Sequence, residues 1–131
     1  NADEYIYEIL SEIPGDLFDP LTKKVKAGIK SQYIVSEFAS VPQGRKAELK
    51  KSGFNKLIEK GLIERKMRKS VKVIIVLNEK EACVCFPDLN GEADLTEMFY
   101  GNDYQFHEWC IDYFRDCWSD ADLFIESKLK E

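Results

Sequence analysis

The stretch from Gly91 to Ala121, GEADLTEMFYGNDYQFHEWCIDYFRDCWSDA, constrains this chain more than any other. Phe106, Trp109, Cys110, Tyr113, Phe114, Cys117 and Ala121 recur at spacings of three and four, which predicts a helix with one broad buried face. Glu108, Asp112, Asp116 and Asp120 fall on its polar side. Asp103 is the N-cap candidate, and the helix is expected to continue beyond Phe124. Such a helix needs a large apolar partner. The runs Val71–Leu77 and Glu81–Phe86 supply one as an antiparallel hairpin turning at Asn78-Glu79-Lys80, and the β-branched first run reads as central and buried.

Upstream, Ala2–Glu12 carries Tyr5, Ile6, Ile9 and Leu10 at helical spacing, and Pro14-Gly15 breaks it. Asp16–Ala27 reads as a second helix stopped by Gly28. Lys30–Phe38 is the first strand, and Arg45–Lys60 a third helix weakened at Gly53 and closed by Gly61. Leu62–Lys69 is a second strand, half exposed or at a sheet edge, which pairs in parallel with the first across that helix. Ala93–Tyr100 is expected as a short helix. The expected fold is α/β, with α+β as the alternative: a small mixed sheet of about four strands packed by helices, with a long C-terminal helix. Residues 1–13 are expected to be a linker helix following a tag remnant, and 14–131 the domain proper.

Net charge is −5, but the two halves oppose each other, with +5 over residues 1–72 and −10 over the rest. Arg45–Lys72 alone holds eleven bases against three acids, a stretch suited to phosphate, an anionic ligand or an acidic partner. An acidic domain without a reading helix is a poor DNA binder by itself. No apolar run is long enough to span a membrane.

The four cysteines read as small buried hydrophobes of a reducing cytosol. Cys83 and Cys85 share one face of a strand, Cys110 and Cys117 stand about 10 Å apart along a helix, and no C-x-x-C occurs. His107 is the only histidine, with Asp103 four residues earlier to hold it. No Glu-x-x-His pair and no glycine-rich phosphate loop is present. The expectation is a chain without catalytic residues, metal or cofactor. Trp109 and Trp118 are nine apart, on opposite sides of the helix, so one faces the sheet and the other a partner surface or a flanking helix.

Three runs then carry a family resemblance: the hairpin Val73–Ala82, the Phe86–Asp94 segment F-P-x-x-x-G-x-x-D, and Phe99–Trp118, F-x-G-x-D-x-x-F-x-x-W-C-x-D-x-F-x-x-x-W. They resemble the C-terminal effector domain of archaeal winged-helix transcriptional regulators of ArsR or TrmB type. The resemblance implies a domain that senses a ligand or holds a dimer together, built like half of a phospholipase-D-type fold. Those enzymes need H-x-K, and this chain reads His107-Glu108-Trp109, so the implied fold comes without the catalysis. It further implies a cytoplasmic homodimer that reaches DNA only through an N-terminal winged helix missing from these residues. A small anionic ligand would bind between the sheet and the basic segment, with Arg45, Arg65 and Arg68 as contacts and Tyr100 or Trp109 as a wall. The competing readings are a protein-interaction module without ligand and, further off, a phosphodiesterase-like hydrolase using His107.

Overall fold

The computed structural model describes residues 3–12, 23–41, 43–47 and 53–130. In chain order the elements are β1 (Tyr5–Leu10), β2 (Lys30–Ser36), α1 (Phe54–Glu59), β3 (Ile63–Arg68), β4 (Ile74–Asn78), β5 (Ala82–Cys85), β6 (Phe99–Gly101), α2 (Tyr104–Asp120) and β7 (Asp122–Leu123), followed by a 3₁₀ turn at Glu126–Lys128. Residues 23–26 and 45–47 are also helical. The strands form one mixed sheet in the order β6-β5-β4-β1-β2-β3-β7, with seven strands rather than the four or so expected. β1, β2 and β3 run parallel to one another, and the other pairings are antiparallel. The fold is mixed α+β.

The largest departure from the sequence reading is β1. The helix expected over Ala2–Glu12, the linker of residues 1–13, is a strand hydrogen-bonded between β2 and β4. Six residues cannot separate a period of 3.6 from a period of 2, and the Tyr and Ile content of YIYEIL decides for the strand. Ala93–Tyr100 is not a helix either. The Asp94 carboxylate accepts from the Thr96 backbone N at 2.9 Å and from its hydroxyl, a local turn that competes with helix formation, and the chain then extends into β6.

Other elements fall close to their expected places. β2 and β3 pair in parallel, β4 and β5 form the antiparallel hairpin, and β3 lies next to an edge closed only by the two residues of β7. β4 begins at Ile74, later than Val71, and Val76 is 37% exposed, so the run is central without being buried on both faces. Gly53 has φ +83° and Gly61 φ +78°. A left-handed residue cannot sit inside a helix, so the expected Arg45–Lys60 helix is interrupted at Gly53 and ended at Gly61. Most of the expected Asp16–Ala27 helix lies outside the described residues.

Strand register assigns the two faces. Tyr7, Ile9, Ile34, Ile75, Leu77, Ala82 and Val84 point to one side and form a core with Cys110, Ile111, Phe114 and Cys117 of α2. The other face is covered over β2 and β3 by two clusters. One is Val25, Phe54, Leu57 and Ile63; the other is Val35, Ala39, Val41, Met67 and Leu129.

Both ends of α2 are satisfied by specific groups. The Asp103 side chain accepts from the Phe106 backbone N at 3.2 Å. The helix stops at Asp120, short of Phe124, because Ala121 turns extended into β7. The cation at its C-terminus is Lys66 of β3, whose Nζ donates to the Trp118 carbonyl at 2.9 Å and sits 4.7 Å from that ring. Lys128 and Lys130 lie beyond, in the C-terminal segment.

Phe114 is 1% exposed and stacks on Tyr7 with centroids 4.8 Å apart. Phe114→Ala should lower the free energy of unfolding by about 3–5 kcal/mol. Asp116→Ala, two residues on and in solvent, should change it by less than about 0.5 kcal/mol; urea melts followed by circular dichroism measure both.

Candidate functional site

The five residues singled out as ligand contacts do not converge. Arg65 and Arg68 stand an odd number of residues apart on β3 and therefore leave opposite faces of the sheet. The Arg65 guanidinium lies 3.8 Å over the Phe124 ring, and Arg68 Nη1 donates to Cys117 Sγ at 3.0 Å beneath α2. Arg45 is buried in the helical turn at 45–47. Tyr100 is on β6, with its hydroxyl donating to the Glu81 carboxylate. Four strands separate β6 from β3, about 24 Å at the usual strand spacing. Trp109 sits toward the β6 end of α2, 45% exposed, against Phe86 and Tyr113. A single anion pocket with three arginines and an aromatic wall is not built from these side chains.

His107 has a structural task. Its Nε2 lies 2.6 Å from the Asn78 carbonyl, an acceptor, so that nitrogen donates and ties the first turn of α2 to the β4–β5 turn. Asp103 caps the helix instead of holding the imidazole. Cys83 is half-buried, the other three cysteines are buried, and all four are free. Burial pushes the Cys110 thiol up to about 11, away from the thiolate form that reacts. Among the described residues no three His, Cys, Asp or Glu side chains gather as metal ligands, and no helix is long and apolar enough to cross a membrane.

Two features escaped the sequence reading. The first is a polar row on the sheet face opposite α2. Register places Val76, Glu8, Tyr33 and Arg65 side by side across β4, β1, β2 and β3. Glu8 is buried. Loss of solvent raises its pKa from 4.5 to about 7. Burial pushes the Tyr33 hydroxyl up to about 12, against the pull of the Arg65 guanidinium beside it. The Ser31 hydroxyl, diagonal to Glu8 on the same face, is buried without a hydrogen-bond partner. The signal was one glutamate inside YIYEIL, legible only once that segment is a strand with a buried face.

The second is an aromatic ledge where α2 meets the β6 edge. Phe86 packs edge-on against Phe99 at 5.6 Å and tilts over Trp109 at 6.0 Å, and Trp109 stacks on Tyr113 at 5.4 Å. An open groove of about 510 Å³ runs along this side of α2, lined by Trp109, Asp112, Tyr113, Arg115, Asp116 and Ser119. On the other face of the same strands a smaller hollow of about 190 Å³ is lined by residues including Ile6, Lys24, Val76, Cys83 and Tyr100.

These elements define a mixed α+β domain whose seven-stranded sheet is covered on one face by a single long helix. Among solved structures, that of TrmBL2, an archaeal chromatin protein described as showing a novel mode of DNA binding, is similar to it with a TM-score of 0.71 at 16% identity. The likeness covers 95% of this chain and 46% of that one, so the chain spans about half of its structural neighbour. At that identity the likeness establishes the fold. No family model matches the sequence, and no curated protein is similar to it.

Glu8 also makes stability depend on pH. Its folded-state pKa lies above the unfolded value, so both states hold the proton below about pH 4.5 and only the folded state holds it from there to about 7. Stability therefore falls as pH rises through that window and levels off above it. The displacement from 4.5 to about 7 corresponds to about 3 kcal/mol. Glu8→Gln cannot ionise, so its denaturation midpoint should stay nearly flat from pH 5 to 8 and exceed that of the parent chain at pH 8. A parallel pH dependence in both proteins would locate the penalty elsewhere.

Proposed function

We propose that this chain is the regulatory domain of a DNA-associated archaeal protein, serving assembly or signal response rather than turnover. The observation that carries this reading is the fold likeness to TrmBL2 over 95% of the chain. The motifs of Phe86–Asp94 and Phe99–Trp118, which resemble those of TrmB-type effector domains, point the same way. The net charge of −5 is unsuited to a phosphate backbone, so contact with DNA would come through another part of a longer polypeptide.

Of the two modes of regulation, assembly has more support than anion sensing. Arg65 and Arg68 are turned to opposite faces and already engaged, and the groove beside Trp109 is open and lined by Asp112 and Asp116 as well as Arg115. His107 is held by a backbone carbonyl, which speaks against the hydrolase reading.

Sedimentation equilibrium of the 131-residue chain should give a homodimer, and a mobility-shift assay with duplex DNA should show no complex at physiological salt. Anionic metabolites should leave the melting temperature unchanged in the parent chain, Arg65→Ala and Arg68→Ala alike. A monomer at high concentration or a DNA complex formed by the chain alone would overturn the assembly reading. An anion-induced stabilisation lost in either arginine variant would restore ligand sensing.

A further inference from the structure

The β6 end of the sheet is built unlike the rest of the surface. β6 pairs with β5 on one side only, and no other strand runs along its far side among the described residues. Its outer backbone groups are thus open to a further strand. Large apolar side chains surround that edge: Phe86, Leu95, Met98, Phe99, Tyr100 and Trp109 are between 41% and 68% exposed. Phe86 touches both Phe99 and Trp109, and contiguous exposed apolar surface of this kind marks an interaction site. The setting is strongly acidic. From Phe86 to Asp120 the chain has nine Asp and Glu residues and one base, Arg115.

We propose that this edge docks an extended, lysine- or arginine-bearing segment of a partner protein, which joins the sheet as a strand beside β6. Side chains of an added strand would alternate between the two faces. On the α2 side lies Phe99, in register with Val84, and next to it the Trp109–Tyr113 stack bracketed by Asp112 and Asp116. An aromatic face flanked by carboxylates attracts a guanidinium or ammonium both through the ring quadrupole and through charge. On the opposite side lies Tyr100, in register with Cys83, and beyond it the hollow lined by Ile6 and Val76, which suits an apolar side chain. The matching segment alternates basic and apolar residues.

A second copy of the chain is a poorer occupant. Its basic strand is β3, whose far side is already paired by β7, while Arg65, Lys66 and Arg68 are engaged with Phe124, Trp118 and Cys117. Nucleic acid is disfavoured by the acid excess. The edge would take a basic segment whether or not the chain belongs to a DNA-associated protein.

The test uses the 131-residue chain and a labelled peptide of alternating arginine and valine, with an alternating glutamate–valine peptide as the opposite-charge probe. Fluorescence anisotropy should show binding of the basic peptide alone. Trp109→Ala and the pair Asp112→Asn with Asp116→Asn should each weaken it by about tenfold or more. Phe38→Ala, at an exposed side chain remote from β6, should leave it unchanged. Hydrogen exchange at the amides of Phe99–Gly101 should slow when the peptide is bound. Equal binding of the acidic peptide, unchanged affinity in the Trp109 and Asp variants, or unprotected β6 amides would overturn the proposal. So would a homodimer dissociated by Trp109→Ala, which would assign the ledge to self-association while leaving the regulatory reading intact.

Discussion

The contact on which the domain depends is the stack of Phe114 on Tyr7, with planes within 7° and centroids 4.8 Å apart. It brings the middle of α2 onto β1, the central strand, and the surrounding side chains follow from that placement. Tyr5 stacks on Tyr7 along the strand, and Trp118 stacks on Phe114 along the helix, so four rings form one column from sheet to helix C-terminus. The bonds made by Lys66 and Arg68 to Trp118 and Cys117 fasten the same helix to β3. At its other end Asp103 caps the helix and His107 holds it to the β4–β5 turn. Stacked rings contribute beyond their buried area, and here they also fix how the helix is rotated. That rotation turns Trp118 inward and leaves Trp109 outside.

Much of this was legible in the amino-acid sequence, for reasons that differ from element to element. α2 is long and strongly periodic, so its existence, its cap at Asp103 and the divergence of its two tryptophans could all be read. The β4–β5 hairpin followed from its β-branched run and its turn residues. β1 could not be read, because Tyr5, Ile6, Ile9 and Leu10 satisfy a helical period while Tyr5, Tyr7 and Ile9 satisfy a strand period over the same six residues. Its true partners, β2 and β4, are about 25 and about 70 residues away in the chain. β6 and β7 were hidden for a different reason. Strands of three and two residues carry no periodic signal, and they exist because a neighbour offers them a free edge.

The expected ligand site failed on geometry rather than on chemistry. Arginines are indeed concentrated near β3, and aromatics are indeed concentrated near α2. Composition places them in the same domain without saying on which face. The pleat sends Arg65 and Arg68 apart, and four strands intervene between β3 and β6. Conversely, Glu8 was unremarkable as one acid in a short segment. It becomes the most unfavourably placed charge on the sheet once β1 is central and its even-numbered side chains face away from α2.

The charge division of the chain becomes a division of space through strand order. The base-rich stretch from Arg45 to Lys72 folds into α1 and β3 near one edge, and the acid-rich segment after Phe86 folds into β6 at the other and into α2, which runs from there across the sheet to β3. β6 and β3 lie about 24 Å apart, about three Debye lengths at physiological salt, while α2 crosses between them and ends against Lys66 and Arg68 of β3. Charges on the two edge strands therefore barely neutralise one another. At the β3 edge Arg65, Lys66 and Arg68 are turned onto Phe124, Trp118 and Cys117, and a short strand pairs with the backbone. Toward the β6 edge Trp109 stays exposed in a groove that Asp112 and Asp116 also line, and among the described residues no strand covers the far side of β6. One end of the sheet is finished by the chain itself. The other keeps charge, apolar surface and hydrogen-bonding groups together in the combination that another polypeptide can complete.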